Sequence, residues 1–315
     1  MSYILGSFNL RDFNFSNKSM DGTNEDLNRD FQKIAQIISE EKFDVVALQE
    51  INAETPLKFL TDVLNRSSKN YFREYAYAFG ANMPQQKYSR DPERYGFIWN
   101  AKRLRLINTR KGINPGYYEN AGALGLIRPP YYARFTARGM QGGTNFELRI
   151  INTHIKDATR EEERIKEFDV LVKQILPRIC DHQELSVEGE VMPSYTFLMG
   201  DYNLALNKSE RSIYKIDTIT KTTYTGRNRS YRTVQEEKTT LKMPNGQFYI
   251  EECYANNYDH FTYETDLDYK LVLTPQRVEV LSKYFYQKDS AVDKLSEYRK
   301  KVSDHVPIKL IVDLI

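Results

Sequence analysis

Phe197-Leu198-Met199-Gly200-Asp201-Tyr202-Asn203-Leu204 decides how this chain is read. The apolar run Tyr195 to Met199 predicts a short buried strand. It stops at Gly200, and Asp201 and Asn203 follow at i, i+2. At a strand end that spacing aims both side chains to one side, into whatever cleft the strand faces. A carboxylate takes a proton from water, and a neighbouring carboxamide positions that water. An Asp/Asn turn after a strand would look the same, so the octapeptide needs company elsewhere in the chain.

That company recurs. Met1 to Phe8 predicts a first strand ending in Asn9-Leu10-Arg11. Phe43 to Leu48 predicts a second, ending in Gln49-Glu50, and Phe146 to Thr153 another, ending in Asn152-Thr153-His154. Tyr258-Asp259-His260-Phe261 opens a strand, and Ser303-Asp304-His305-Val306-Pro307 precedes the last, Ile308 to Ile315. Pro92-Glu93-Arg94-Tyr95 enters a strand that runs to Trp99. Arg277 to Leu281 is expected to form one more.

Helical spacing appears between the strands. Leu27, Phe31, Ile34, Ile37 and Ile38 predict a helix to about Glu41, and Thr55 to Leu64 a second. Thr159 and Glu162 form a capping box for a third, which Pro177 is expected to close. A hairpin is expected across Gly139 to Gly143, and Pro129 and Pro130 fix Arg128 on an extended backbone. Helices alternating with strands, interrupted by hairpins, predict an α/β sandwich with helices outside two packed sheets.

The 315 residues are 40% hydrophobic, enough for a large core, and are read as one domain spanning 1–315. Residues 206–242 differ, being poor in aliphatics and rich in Thr, Tyr, Lys and Arg. They are read as a polar, basic excursion of short strands and loops, not a separate domain. Lys and Arg number 45 against 43 Asp and Glu, a net charge of +2. A general electrostatic attraction for a polyanion is thereby excluded, so a nucleic acid would need a local patch. Arg227, Arg229 and Arg232 are the expected patch. Cys180 and Cys253 make no disulfide framework and suit a reducing compartment. The N-terminus lacks the features of a signal peptide, and no apolar run is long enough for a membrane span. A cytoplasmic monomer without membrane contact is the resulting expectation.

Taken together and in order, Phe8-Asn9, Leu48-Gln49-Glu50-Ile51, Asn152-Thr153-His154, Gly200-Asp201-Tyr202-Asn203 and Ser303-Asp304-His305-Val306-Pro307 resemble the endonuclease/exonuclease/phosphatase superfamily, in its deoxyribonuclease I-like branch. The resemblance implies a four-layered α/β/β/α sandwich and a hydrolase that cleaves phosphate esters with Mg²⁺ or Mn²⁺. It implies Glu50 as chief metal ligand, with Asn9 beside it and Asp304 assisting. Asp201 would accept a proton from the attacking water, Asn203 would orient that water, and His305 would contact the scissile phosphate. His154 paired with Glu93 marks the nuclease branch. There the carboxylate is expected to raise the imidazole pKa and make His154 a general acid. Arg128 resembles a backbone-contacting arginine, and Arg11 and Tyr95 are further candidate substrate contacts. An Asp must support the last His; Asp259 is preferred and Asp268 is the alternative. Asn52 stands where relatives often carry an Arg. The implied function is DNA hydrolysis. A phosphomonoesterase or phospholipase of the same superfamily is the alternative, and a binding module without catalysis the remote one.

Overall fold

The computed structural model describes residues 2–15, 29–67, 73–81, 93–107, 115–119, 121–137, 146–157, 160–181, 193–206, 215–244, 248–285 and 290–314. Its first strand, β1 (Ser2–Phe13), is buried on both faces from Leu5 onward. A strand covered on both sides reads as an apolar run, as Tyr3-Ile4-Leu5 does, but β1 continues past the expected end at Phe8 and buries the polar Ser7, Asn9, Arg11 and Asp12 as well. The strands that follow are β2 (Val45–Ile51), β3 (Tyr75–Phe79), β4 (Arg94–Asn100), β5 (Leu104–Leu106), β6 (Gly116–Tyr117), β7 (Tyr131–Ala137) and β8 (Glu147–His154). Then come β9 (Ser194–Asp201), β10 (Ala205–Leu206), β11 (Lys215–Ile216), β12 (Ile219–Tyr224), β13 (Arg227–Val234), β14 (Asp259–Glu264), β15 (Leu271–Arg277) and β16 (Ile308–Leu314).

Apart from β10 and β11, which pair with each other, they form two large mixed sheets. The first has the order β15-β16-β1-β2-β4-β3, and the second β12-β13-β14-β9-β8-β7-β5 with β6 beside β7. Period-two alternation sorts side chains between the layers. Val45, Ala47 and Phe97 of the first sheet meet Ala133, Phe135, Ile150, Phe197 and Phe261 of the second in a core between the sheets. Val46 and Leu48 point the other way, onto the helices α1 (Phe31–Glu40) and α2 (Glu54–Ser67). Helix α3 (Glu161–Val170) leads through a π-helical turn, Leu171–Ile175, into α4 (Leu176–Asp181), and this run covers the second sheet. Helices α5 (Val280–Tyr284) and α6 (Ala291–Lys301) complete the cover of the first. The architecture is the expected four-layered α/β/β/α sandwich.

Two local expectations are corrected. Pro177 does not close the third helix, which runs on to Asp181. Proline clashes with the carbonyl four residues back, and a wider turn immediately before it relieves that clash. Arg277 to Leu281 is not one strand: β15 ends at Arg277, and Val280 and Leu281 are the buried face of α5. The basic excursion holds the expected short strands, and β12 and β13 form a hairpin that extends the second sheet. The Gly139–Gly143 turn and Thr159 lie outside the described residues. Cys180 and Cys253 are both free thiols. Among the described residues no helix is long and apolar enough to cross a membrane.

Candidate active site

Register brings the motif residues together. β8 and β9 run parallel with His154 opposite Asp201, and antiparallel β14 sets Asp259 against Asp201 from the other side. In the first sheet β1 and β2 pair Asn9 with Gln49, which leaves Glu50 at the same edge. Gly200 permits the β8–β9 approach. A Cβ there would lie 1.8 Å from the Thr153 carbonyl oxygen, and its φ is +150°. Glu50 (φ 59°), Asn203 (φ 49°), Arg11 (φ 42°) and Asp12 (φ 50°) all hold left-handed backbone. Such conformations cost on the order of 1–3 kcal/mol each and cluster at functional sites.

The Asp201 carboxylate is the hub. Its Oδ2 accepts from Asn9 Nδ2 at 3.1 Å and lies 3.7 Å from His154 Nε2 and 3.5 Å from His305 Nε2. Its Oδ1 accepts the Asn203 N–H at 2.9 Å. Asn203 Nδ2 donates to the Ile155 carbonyl at 2.8 Å and sits 3.3 Å from His154 Nε2. Each imidazole has its own carboxylate behind it. His305 Nδ1 is 2.9 Å from Asp259 Oδ2, and His154 Nδ1 is 3.1 Å from Glu93 Oε2. Asp268, the alternative partner for His305, pairs with Arg232 instead.

These environments separate the two histidines. Burial disfavours the His305 cation, but Asp259 and Asp201 outweigh it, and its pKa rises well above the ordinary imidazole value. For His154, burial and the nearby Arg128 guanidinium dominate, and its pKa falls. This corrects the expected upward push from Glu93. Arg128 Nη2 occupies the other oxygen of Glu93 at 2.8 Å, so that carboxylate is shared. Burial lifts Asp201 to about 6, against the opposing pull of His305. At neutral pH the resting site thus holds a charged His305, a neutral His154 and an ionised Asp201.

The residues fit a hard divalent cation. Glu50, Glu93 and His154 each offer a ligand atom within 4.8 Å of the others, and so do Asp201, Asp259 and His305. Burial and then the Glu93 charge raise the Glu50 pKa, a repulsion that a bound cation would relieve. Asn9 lies beside Glu50 as expected, but as a donor: Nδ2 reaches Glu50 Oε1 at 2.7 Å, while its Oδ1 accepts the Arg11 N–H at 2.9 Å. In this orientation Asn9 aims Glu50. Asp304 lies 3.5 Å from Arg11 Nε.

The expected substrate contacts fare differently. Tyr95 is buried between the sheets, and its Oη accepts the His154 N–H at 3.0 Å, so it braces the histidine instead of facing substrate. Arg11 and Arg128 reach the site edge, Arg11 beside Asp304 and Arg128 on Glu93. The patch of Arg227, Arg229 and Arg232 does not. Val234 of β13 pairs with Phe261, near the Asp259 end, whereas Tyr231 pairs with Glu264 at the far end. Arg229 therefore lies roughly 20 Å along the strands from the site, paired with Asp181 and Glu264.

Several bracing residues went unassigned in the sequence. Gln49 Nε2 donates to Asn152 Oδ1 at 2.7 Å, and Asn152 Nδ2 donates to the Leu48 carbonyl at 2.9 Å, tying the sheets under the site. Ser303 Oγ donates to the Asn9 carbonyl at 2.7 Å, and Tyr298 Oη to the His305 carbonyl at 2.7 Å. The signal for Gln49, Asn152 and Ser303 was their polarity immediately beside a motif residue. Tyr298 carried none, since a tyrosine on a helix face reads as core.

No family model matches the chain, and no curated protein matches it. Solved structures do. An endonuclease/exonuclease/phosphatase family protein from Bacteroides thetaiotaomicron superposes with TM-score 0.53 at 14% identity, covering 100% of this chain and 98% of that one. A mannosyl-6-phosphatase from the same organism gives TM-score 0.54 at 13% identity, over 98% and 99%. ANGEL2, a 2′,3′-cyclic phosphatase, solved with adenosine-2′,3′-vanadate, gives 0.54 at 13%, over 100% and 96%. The resemblance read from five strand-end motifs and the superposition of whole chains agree: this chain has the endonuclease/exonuclease/phosphatase fold.

Proposed function

We propose that the protein is a metal-dependent phosphoester hydrolase, and more specifically a deoxyribonuclease I-like phosphodiesterase acting on DNA. The observation that carries the nuclease reading is the run Arg128–Glu93–His154–Asp201, an imidazole with its own carboxylate set beside the water-activating Asp. Asp201, ionised at neutral pH, accepts a proton from the attacking water, with the neutral His154 beside it as a second acceptor. Asn203 orients that water. The His305 cation, held by Asp259, sits against a non-bridging phosphate oxygen and offsets its growing charge. Glu50, aimed by Asn9, would hold the Mg²⁺ or Mn²⁺, with Glu93 in reach and Asp304 at the edge. A bound ion would neutralise charge on the phosphoryl group and leaving oxygen.

A second reading has its own support. The arginine patch lies far from the site, and Asn52 replaces a common nucleic-acid contact, both of which favour a small phosphomonoester. The two readings are separated by incubating the protein with plasmid DNA, a phosphoinositide and sphingomyelin, each with Mg²⁺ and with EDTA. Metal-dependent plasmid nicking supports the nuclease. Turnover confined to the phosphoinositide or sphingomyelin moves the assignment to the phosphatase or phospholipase class. No turnover of any of them, with Glu50→Gln indistinguishable from wild type, returns the fold to a binding role.

A further inference from the structure

Arg29 belongs to no motif, yet its guanidinium is buried and joins two segments that carry site residues. Nη1 donates to the Val302 carbonyl at 2.6 Å, one residue before Ser303-Asp304-His305. Nη2 donates to the Arg11 carbonyl. That carbonyl and the Asp12 N–H are two ends of one peptide group, and the Asp12 N–H donates to Glu50 Oε2 at 3.0 Å. Arg11 and Asp12 both hold left-handed backbone, so this peptide is fixed against its intrinsic preference. The neighbouring contacts reinforce the junction: Asp30 N–H donates to the Lys301 carbonyl at 2.8 Å.

We propose that Arg29 is a positioning residue for the cation site, acting through the Arg11–Asp12 peptide to hold the Glu50 carboxylate in its ligating orientation. A cation on the carbonyl end polarises the peptide and strengthens its N–H as a donor to the carboxylate. Rotating the peptide would break both hydrogen bonds together. The second arm, on Val302, fixes the same unit relative to Asp304 and His305. Lysine cannot reproduce this, because one ammonium lacks the planar fork that spans two carbonyls.

The inference rests on the metal-dependent reading above, so its test carries one measurement that does not. Mn²⁺ affinity is measured by calorimetry in wild type, Arg29→Gln, Arg29→Lys and Glu50→Gln, with thermal melts to establish folding. Amide hydrogen exchange at Asp12 is followed in the metal-free proteins. A folded Arg29→Gln should bind Mn²⁺ at least tenfold more weakly and lose protection at Asp12, and Arg29→Lys should fall between it and wild type. Should Arg29→Gln not fold, Arg29→Lys decides by the same two readouts. Mn²⁺ affinity within twofold of wild type and unchanged Asp12 protection in the deciding variant overturn the proposal. If wild type binds no Mn²⁺ that Glu50→Gln removes, the hydrolase reading falls, while Asp12 exchange still reports whether Arg29 holds the peptide.

Discussion

His305 and Asp259 meet Nδ1 to Oδ2 at 2.9 Å across the boundary between the two sheets, with Asp259 opening β14 and His305 preceding β16. The contact joins the sheets and sets the charge that His305 carries.

Asp259→Asn tests both roles. A histidine whose folded pKa is raised contributes stability that is complete below its unfolded value, near 6.5, and is lost as pH rises through the folded value. The variant should therefore be less stable than wild type at pH 6, by about 3 kcal/mol. The difference should shrink toward alkaline pH. A gap that stays constant from pH 6 to 10 would show that Asp259 does not hold a His305 cation.

Glu93 and His154 should act as one unit. The 3.1 Å contact places Glu93 behind the imidazole. In a double-mutant cycle on kcat/KM, Glu93→Ala and His154→Ala should each lower the rate, and the double variant should be little worse than His154→Ala alone. Losses that multiply would make Glu93 only an anchor for Arg128.

Asp201 should titrate late. Burial raises its carboxyl to about 6, with His305 opposing. Carboxyl ¹³C shifts of the metal-free protein should show a midpoint near pH 6 that Asp201→Asn removes. Adding Mg²⁺ should lower that midpoint, because a nearby cation favours the ionised form. A midpoint near 4 without metal would argue against this carboxylate as a poised base.

Arg229 should matter to stability and not to turnover. Its side chain is 10% exposed and bridges Asp181 at the end of α4 to Glu264 on β14. Arg229→Ala leaves two partly buried carboxylates without that partner, at a cost of about 1–3 kcal/mol. Hydrolysis of bis-p-nitrophenyl phosphate should remain within twofold of wild type. A salt-dependent loss of DNA binding in this variant, without destabilisation, would restore the arginine patch to the substrate path.

Where a residue's place in the candidate site follows from a strand end, the sequence was a sufficient guide. Glu50, His154, Asp201, Asn203, Asp259 and His305 converge because each lies at or beside the end of a buried strand, and Asn9 joins them from within β1, which runs on to Phe13. Residues acting through packing were harder to place. Tyr95 reads as an aromatic near Glu93, and only the pleat tells that its ring lies between the sheets. Arg277 to Leu281 is apolar enough for a strand, but its burial is helical, set by α5 packing beside α6. The arginines of β13 look like a rim until strand direction puts them at the other end of the sheet. The fall in the His154 pKa comes first from burial and then from Arg128, 26 positions away in sequence and one carboxylate away in space. Arg29 shows no pattern at all, since its partners are backbone carbonyls.

Neither sheet owns the candidate site. Asn9, Glu50 and His305 belong to the first sheet and its flank, and His154, Asp201 and Asp259 to the second, so the Asn9–Asp201 and His305–Asp259 contacts tie the two sheets together, as the core of Val45, Ala47, Phe97, Ile150 and Phe197 does. A small slip of one sheet over the other would move Asn9, Glu50 and His305 away from Asp201, Asn203 and His154 without melting either sheet. The geometry of the candidate site is then a ruler laid across the sandwich. Core substitutions such as Ala47→Gly or Phe197→Leu should register as lost turnover before they register as lost secondary structure.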